Sequence, residues 1–355
     1  SLSEPVYPLQ CVMDKKTGEI KLKYITTDDD RYNLYSYSYT SSNSKTSRNH
    51  WDAYSTEIHR YISNGSKILE IGSNDGYLLK NFVAENIPCI GVEPTSIAAA
   101  SARQKGINVV EEFFTLNLAN RLVKQNRKAD LVIINNVLAH VPNLNDFVLA
   151  VRMILKRDGV LTIEIPHILN LVKEVQFDTI YHEHYSYFSF HSVKNVLESR
   201  GFEIFDVERI KTHGGSLRLF ACQNISKRKV SQTVSNILRI EDKEGMNSLT
   251  YYKHFQEKAD QIKNQFVLFL LEAKKNKKSV AGYGAAAKGN TLLNYAGIKP
   301  DLLPVIYDSA DSKYGKYLPG SHIPIKPADM LVKNPPDYLI IFPWNLKNEI
   351  IPEYK

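Results

Sequence analysis

Tyr181-His-Glu-His184 sets four consecutive polar, titratable side chains inside an aromatic stretch, Phe177-Asp-Thr-Ile-Tyr-His-Glu-His-Tyr-Ser-Tyr-Phe-Ser189. Aromatic neighbours keep part of the water away, which is the setting in which pKa values move. A histidine held there can take a proton near neutral pH, and a nearby carboxylate can orient or tune it. Two other readings stay open. His182 and His184 lie two residues apart, so an extended segment could turn both toward one metal ion, although the H-E-x-x-H helix pattern is absent and no metal is expected. The same polar residues could also do no more than tie a loop to the core.

A proton-abstracting site needs a frame, and the frame begins at Lys67-Ile-Leu-Glu-Ile-Gly-Ser-Asn-Asp-Gly-Tyr-Leu78. The apolar run Ile68, Leu69, Ile71 reads as a buried parallel strand. The loop Gly72-Ser-Asn-Asp-Gly76 is too polar and glycine-rich to continue it, and helical spacing resumes at Leu78. Strand, glycine loop and helix form a nucleotide-binding turn, in which missing Cβ atoms are expected to let a ligand approach the backbone. The loop lacks G-x-G-x-x-G, and its acid disfavours a pyrophosphate. A cationic, phosphate-free ligand such as S-adenosylmethionine suits it better. Glu93 ends the next strand, Pro88–Val92, about 20 residues after the loop glycine, where an acid accepts hydrogen bonds from ribose hydroxyls. Further buried strands are Asp130–Ile134, which ends in Asn135-Asn136, and Gly159–Ile165. The candidate cofactor residues are Glu70, Gly72, Asn74, Asp75, Gly76, Glu93, Asn135 and Asn136. A doubly wound α/β domain with an incidental acidic loop is the plainer alternative.

The chain has 355 residues, of which 43% are hydrophobic, enough for two or three domains with real cores. Cys11, Cys89 and Cys222 are too few and too scattered for a disulfide framework. No apolar run reaches a membrane span, so a cytoplasmic protein without a membrane partner is expected. The formal charge of +7 is spread out, with small clusters at Lys227-Arg-Lys229 and Lys274-Lys-Asn-Lys-Lys278. No reading motif accompanies it, so nucleic acid is not expected and an anionic small molecule explains the charge better.

Four regions follow along the chain. Residues 1–55 are polar and tyrosine-rich, with Asp28-Asp-Asp30 and a serine run; residues 56–224 carry the α/β domain. Residues 225–275 form a helical linker in which Phe255, Ala259, Ile262, Phe266, Phe269 and Ala273 mark one apolar face. Residues 276–355 make a second, smaller Rossmann-like unit with strands at Ser279–Tyr283, Leu302–Tyr307 and Asp337–Phe342.

Taken in order, several segments carry a resemblance. They are Glu70–Gly76, Asn135-Asn-Val-Leu-Ala-His140, Tyr181–His184, His213-Gly-Gly-Ser-Leu-Arg218, Gly282-Tyr-Gly-Ala-Ala-Ala-Lys-Gly-Asn290, Tyr317-Leu-Pro-Gly320 and Phe342-Pro-Trp-Asn345. The chain resembles the S-adenosylmethionine-dependent sugar C-methyltransferases that make branched deoxysugars, such as the tetronitrose-type enzymes, over roughly residues 30–355. The resemblance implies a class I methyltransferase domain, then the helical linker, then the second α/β domain. It implies methylation at C3 of a nucleoside-diphosphate 4-keto sugar through an enolate. His184 would then be the base, Tyr181 and Glu183 would line the same site, and His140 would face the sugar or its enolate oxygen.

His213, Gly214 and Arg218 form a small-residue segment that would admit a bulky substrate, although a plain β-turn fits as well. Gly282-x-Gly284 with Lys288 and Asn290 is similar to a phosphate loop at a helix start, against which stands simple strand–helix packing. Tyr37, Tyr39, Ser41 and Ser44 match a Y-x-Y-x-S-x-x-S segment of the family, with Tyr39 as the substrate candidate.

One departure stands out. Family members open with a zinc domain built on two C-x-x-C pairs, whereas Asp14 and Thr17 stand here where cysteines of the second pair belong. Cys11 alone cannot build a tetrahedral site, so a degenerate, zinc-free segment or arm is expected. Two other functions stay open: a catalytically silent sugar-nucleotide-binding homologue, and a nicotinamide-dependent oxidoreductase or epimerase using the loop at Gly282. A monomer or weak homodimer is expected.

Overall fold

The computed structural model describes residues 4–26, 40, 42 and 44–354. Asp28–Asp30, Tyr37, Tyr39 and Ser41 lie outside them. The chain divides into two compact units. One contains Cys11–Leu169 and Glu183–Leu249; the other contains the residues up to Gln10, Asn170–His182 and the chain from Thr250 onward.

In the first unit the strands are β1 (Cys11–Met13), β2 (Ile20–Leu22), β3 (Ile68–Ile71), β4 (Cys89–Val92), β5 (Asn108–Val110), β6 (Ala129–Asn135), β7 (Leu155–Pro166), β8 (Ser186–Tyr187), β9 (Phe202–Ile210) and β10 (Ser216–Gln223). The main sheet runs β5-β4-β3-β6-β7-β10-β9. Its first five strands are parallel, and β10 is antiparallel to both β7 and β9. Alternate residues serve opposite faces, as period-two geometry requires. Leu69, Ile71, Val132, Ile134, Leu161 and Ile163 pack into one core, and Ile68, Leu131, Ile133, Val160 and Phe220 into another. Strands buried on both faces explain the near-continuous apolar runs in the sequence.

β1 and β2 form an antiparallel hairpin. Asp14 Oδ1 accepts from the main-chain N–H of Lys16 (2.8 Å) and Thr17 (3.0 Å), which ties the turn between β1 and β2. β2 pairs in turn with β8. No group of three or more metal-binding side chains occurs among the described residues, and no helix among them is long and apolar enough to cross a membrane.

The second unit adds β11 (Val280–Tyr283), β12 (Ile306–Asp308), β13 (Ile325–Pro327) and β14 (Tyr338–Ile341), parallel in the order β13-β12-β11-β14. The expected strand from Leu302 starts only at Ile306. The long Phe255–Lys275 helix buries Ala259, Leu270 and Ala273 and packs Phe266 against the core. Ile262 and Phe269, expected on that face, are 37% and 36% exposed, so the true face is rotated toward Leu270.

Candidate active site

Beyond the carboxyl ends of β3 to β6 lies a cavity of about 560 Å³. Gly72, Asn74 and Glu93 line one side, and Asn135, Asn136 and His140 another. Phe113, Phe114 and Thr115 come from the loop after β5, and Trp51 from the Lys45–Ile58 helix. Of the eight cofactor candidates, Gly72, Asn74, Glu93, Asn135 and Asn136 line this space; Glu70, Asp75 and Gly76 do not. Asn74 and Asn136 hold left-handed φ angles of 48° and 56°, an unfavourable conformation that concentrates at binding sites.

Two expectations about the loop need correction. Its glycines make room for the protein rather than for a ligand: a Cβ on Gly72 would meet Val137 Cγ2 at 2.4 Å, and one on Gly76 would meet Ile107 Cδ1 at 2.2 Å. Asp75, expected to give the loop its acidic face toward the cofactor, is 2% exposed and turned inward. It accepts from Ser42 Oγ, and Lys105 Nζ lies 3.5 Å from its carboxylate.

Glu93 sits at the tip of β4, beside the cavity. One carboxylate oxygen accepts from Asn74 N (3.0 Å), and the other from Thr95 N (2.9 Å) and the Thr95 hydroxyl. Burial pushes its pKa up while these bonds pull it back. A carboxylate offers about four acceptor positions, which leaves room for a hydroxyl. Glu70 behind the loop is driven well above the usual carboxylate range, by burial first and then by Asp75, Glu93 and Glu164.

Buried polar atoms without partners collect on residues that line the cavity: Trp51 Nε1, both amide atoms of Asn135 and Asn136 Oδ1. Buried polar groups are ordinarily satisfied. Such a concentration beside one cavity fits a polar ligand with several donors and acceptors, as S-adenosylmethionine is.

His140 and His184 come together, with ring centroids 4.9 Å apart in an edge arrangement, and Tyr187 stands 6.2 Å from His184. Tyr185 N donates to Ala139 O at 2.7 Å, which fastens the two segments to each other. His140 sits in a short turn after β6 and lines the cavity. Glu183 belongs to the same unit, whereas Tyr181 and His182 group with the other. There His182 approaches Tyr7 and the Pro8 carbonyl.

The other substrate candidates divide. His213, Gly214 and Gly215 all have positive φ, a strained turn at the end of β9. Arg218 is corrected: it is 4% exposed and its guanidinium is taken up by Glu164 (2.7 Å), Glu57 and Glu208, with Tyr54 beneath it. Lys288 bonds Asn345 Oδ1 at 2.7 Å and lies over the Trp344 ring, whose Nε1 donates to Asp178 (2.7 Å). Burial lowers the Lys288 pKa to about 8, with Asp178 pulling the other way. Asn290 Oδ1 is buried without a partner.

Sequence reasoning missed a polar stripe on the Lys45–Ile58 helix. His50 Nε2 bonds Glu164 (2.8 Å), Tyr54 donates to Thr162 (2.6 Å) and Glu57 pairs with Arg218. Three positions one helical turn apart thus meet a polar row on β7 and β10. An acid inside Val160-Leu-Thr-Ile-Glu-Ile165 was the available signal, because a carboxylate in a buried strand must have a partner.

A Rossmann-like sheet with this cavity at its carboxyl edge defines a class I methyltransferase. The family described as "Methyltransferase domain" matches residues 47–207, and the one described as "C-methyltransferase C-terminal domain" matches residues 211–355. C-methyltransferase NovU of Streptomyces niveus is 30% identical over 99% of this chain and 84% of its own length. The chain therefore belongs to the S-adenosylmethionine-dependent C-methyltransferases.

Solved structures similar to it include two methyltransferases. One, from Thermotoga maritima, is described as a possible histamine N-methyltransferase (18% identity, 49% of this chain, 89% of that one, TM-score 0.39). The other is the magnesium protoporphyrin IX methyltransferase of Synechocystis with bound S-adenosylhomocysteine (16%, 50%, 82%, TM-score 0.39).

Proposed function

We propose that this enzyme methylates C3 of a nucleoside-diphosphate-linked 4-keto deoxysugar in branched-sugar synthesis, through an enolate. The observation that carries the reading is the His140–His184 pair at the cofactor cavity. Carbon becomes nucleophilic only once a proton leaves the position beside a ketone. His184 is the group to take that proton, with the electron pair moving onto the keto oxygen. His140, whose ring meets that of His184, would donate a hydrogen bond to that oxygen and stabilise its charge. Bound S-adenosylmethionine supplies an electrophilic methyl group; as the new C–C bond forms, the C–S bond breaks and S-adenosylhomocysteine leaves. Glu183 would orient or tune the base, and Tyr181, His213, Gly214, Lys288, Asn290 and Tyr39 are the remaining candidates for the nucleotide sugar.

His184→Asn tests this. Methyl transfer should fall by about 10²–10⁴, and deuterium exchange from heavy water into the carbon next to the ketone should fall with it. Calorimetric affinity for S-adenosylhomocysteine should stay near wild type, because the base acts on the sugar. Exchange at the wild-type rate in this variant would move the base to another residue.

A further inference from the structure

We propose that the indole N–H of Trp51 donates a hydrogen bond to the carboxylate at the amino-acid end of the cofactor. The inference rests on the reading that Glu93 holds the ribose. It starts from an inventory of donors. Gly72 N (2.8 Å) and Ser73 N (3.2 Å) both donate to Val92 O, and Gly76 N donates to Ser73 O (2.9 Å). Asn74 N is held by Glu93, and Asp75 N by the Asn74 side chain. Every main-chain N–H from Gly72 to Gly76 is therefore already engaged, and the loop has none to spare for a carboxylate. No lysine or arginine lines the cavity among the described residues, while Glu93, Glu112 and Asp146 do. The carboxylate must be met by neutral donors.

Trp51 is such a donor. It is 7% exposed, it lines the cavity, and its Nε1 is buried with no partner among the described residues. Indole nitrogen can only donate, so a buried indole N–H calls for an acceptor, and an ionised one makes the stronger bond. The order of strands puts it at the correct end. Glu93 follows β4, the loop Gly72–Gly76 follows β3, and Asn135 ends β6. Glu164 on β7 stands in register with Asn135 and binds His50, the residue before Trp51. A nucleoside fixed at Glu93 thus extends its other end across β3 and β6 toward Trp51. The unpartnered amide of Asn135 lies on the same path. His50 and Tyr54 are positioning residues: their bonds to Glu164 and Thr162 set the helix, and the His50 ring lies 4.6 Å from that of Trp51.

The test compares two ligands on the full chain. S-adenosylhomocysteine carries the carboxylate; 5′-methylthioadenosine keeps the nucleoside and thioether and lacks the amino-acid group. Trp51→Phe keeps an aromatic ring and removes the donor. Calorimetry should show about a tenfold loss for S-adenosylhomocysteine, the size of one charge-assisted bond, and no change for 5′-methylthioadenosine. Equal losses for both would make Trp51 a wall of the cavity and overturn the proposal, as would no loss for either.

A second measurement does not depend on the variant folding. With only two tryptophans in the chain, ¹⁵N-indole spectra of the wild type give two N–H peaks, assigned with Trp344→Phe. S-adenosylhomocysteine should move the Trp51 peak downfield and 5′-methylthioadenosine should not; a stationary peak overturns the assignment. If Glu93→Gln leaves both affinities intact while Trp51 still discriminates between the ligands, the ribose reading fails and this one stands.

Discussion

The two α/β units build their glycine loops on one plan and put them to different use. In the first, Glu93 at the tip of β4 accepts from Asn74 N in the loop and from Thr95 N two residues further on. In the second, Asp308 at the tip of β12 accepts from Ala285 N (2.7 Å) in the loop and from Ala310 N (2.8 Å) two residues further on. The difference lies in what else each acid meets. Lys313 Nζ stands 3.0 Å from Asp308, whereas Glu93 pairs with no cation among the described residues and borders a cavity with several unpartnered polar atoms. Around the second loop, a Cβ on Gly282, Gly284 or Gly289 would strike Phe342, Pro343 or Phe342 again. The glycines of Gly282–Asn290 are there so that the Phe342-Pro-Trp-Asn345 segment can close over them. The same strand–loop–helix turn leaves its acid with a spare lone pair in the first unit and gives it to a lysine in the second.

The largest effect expected from this contrast is on stability. Asp308→Ala strands two main-chain N–H groups and the Lys313 ammonium, and should cost about 2–4 kcal/mol in urea unfolding. Affinity for S-adenosylhomocysteine should not change; a loss would mean that the second loop also holds cofactor. Glu93→Ala should do the reverse, weakening S-adenosylhomocysteine by about 1–3 kcal/mol in a calorimetric titration. An unchanged dissociation constant would remove Glu93 from the cofactor site.

The smallest effect concerns Lys288. Its pKa falls from 10.5 to about 8 on folding because burial disfavours the charge. Between those values the unfolded chain binds more protons, so stability should rise with pH from about 8 to 10.5. Lys288→Met should remove that rise and should be more stable than wild type below pH 8 by roughly 1–2 kcal/mol, allowing for partial exposure. Wild-type unfolding curves flat across this window would describe a solvated lysine and strengthen its candidacy as a phosphate contact.

Much of this was legible in the sequence because buried parallel strands announce themselves. β3, β4, β6, β7, β10, β11 and β14 fall on the apolar runs. β5 and β13, three residues each, are too short to carry a pattern, and β9 alternates with charges because one of its faces is only partly buried. The glycine loop after β3 and the place of Glu93 at a strand tip were readable from spacing, and the proximity of His140 to His184 follows motifs that the resemblance joined. Burial was harder to foresee. Asp75 and Arg218 look like ligand contacts because charged residues are usually exposed, and only tertiary packing shows them enclosed with partners. The stripe His50, Tyr54, Glu57 has the opposite problem, since a polar face on a helix reads as solvent-facing until a polar row on a strand is found opposite.

That stripe also dictates an order of events as the chain is made. His50 meets Glu164 across 114 positions and Glu57 meets Arg218 across 161. Long-range contacts of this kind form slowly, because the loop they close is large. The Trp51 helix leaves the ribosome long before β7 and β10 exist. A fragment that stops short of Arg218 will lack the anchor for this helix even if every residue of the glycine loop is present. Fragments meant to bind cofactor should therefore run past Gln223, the end of β10.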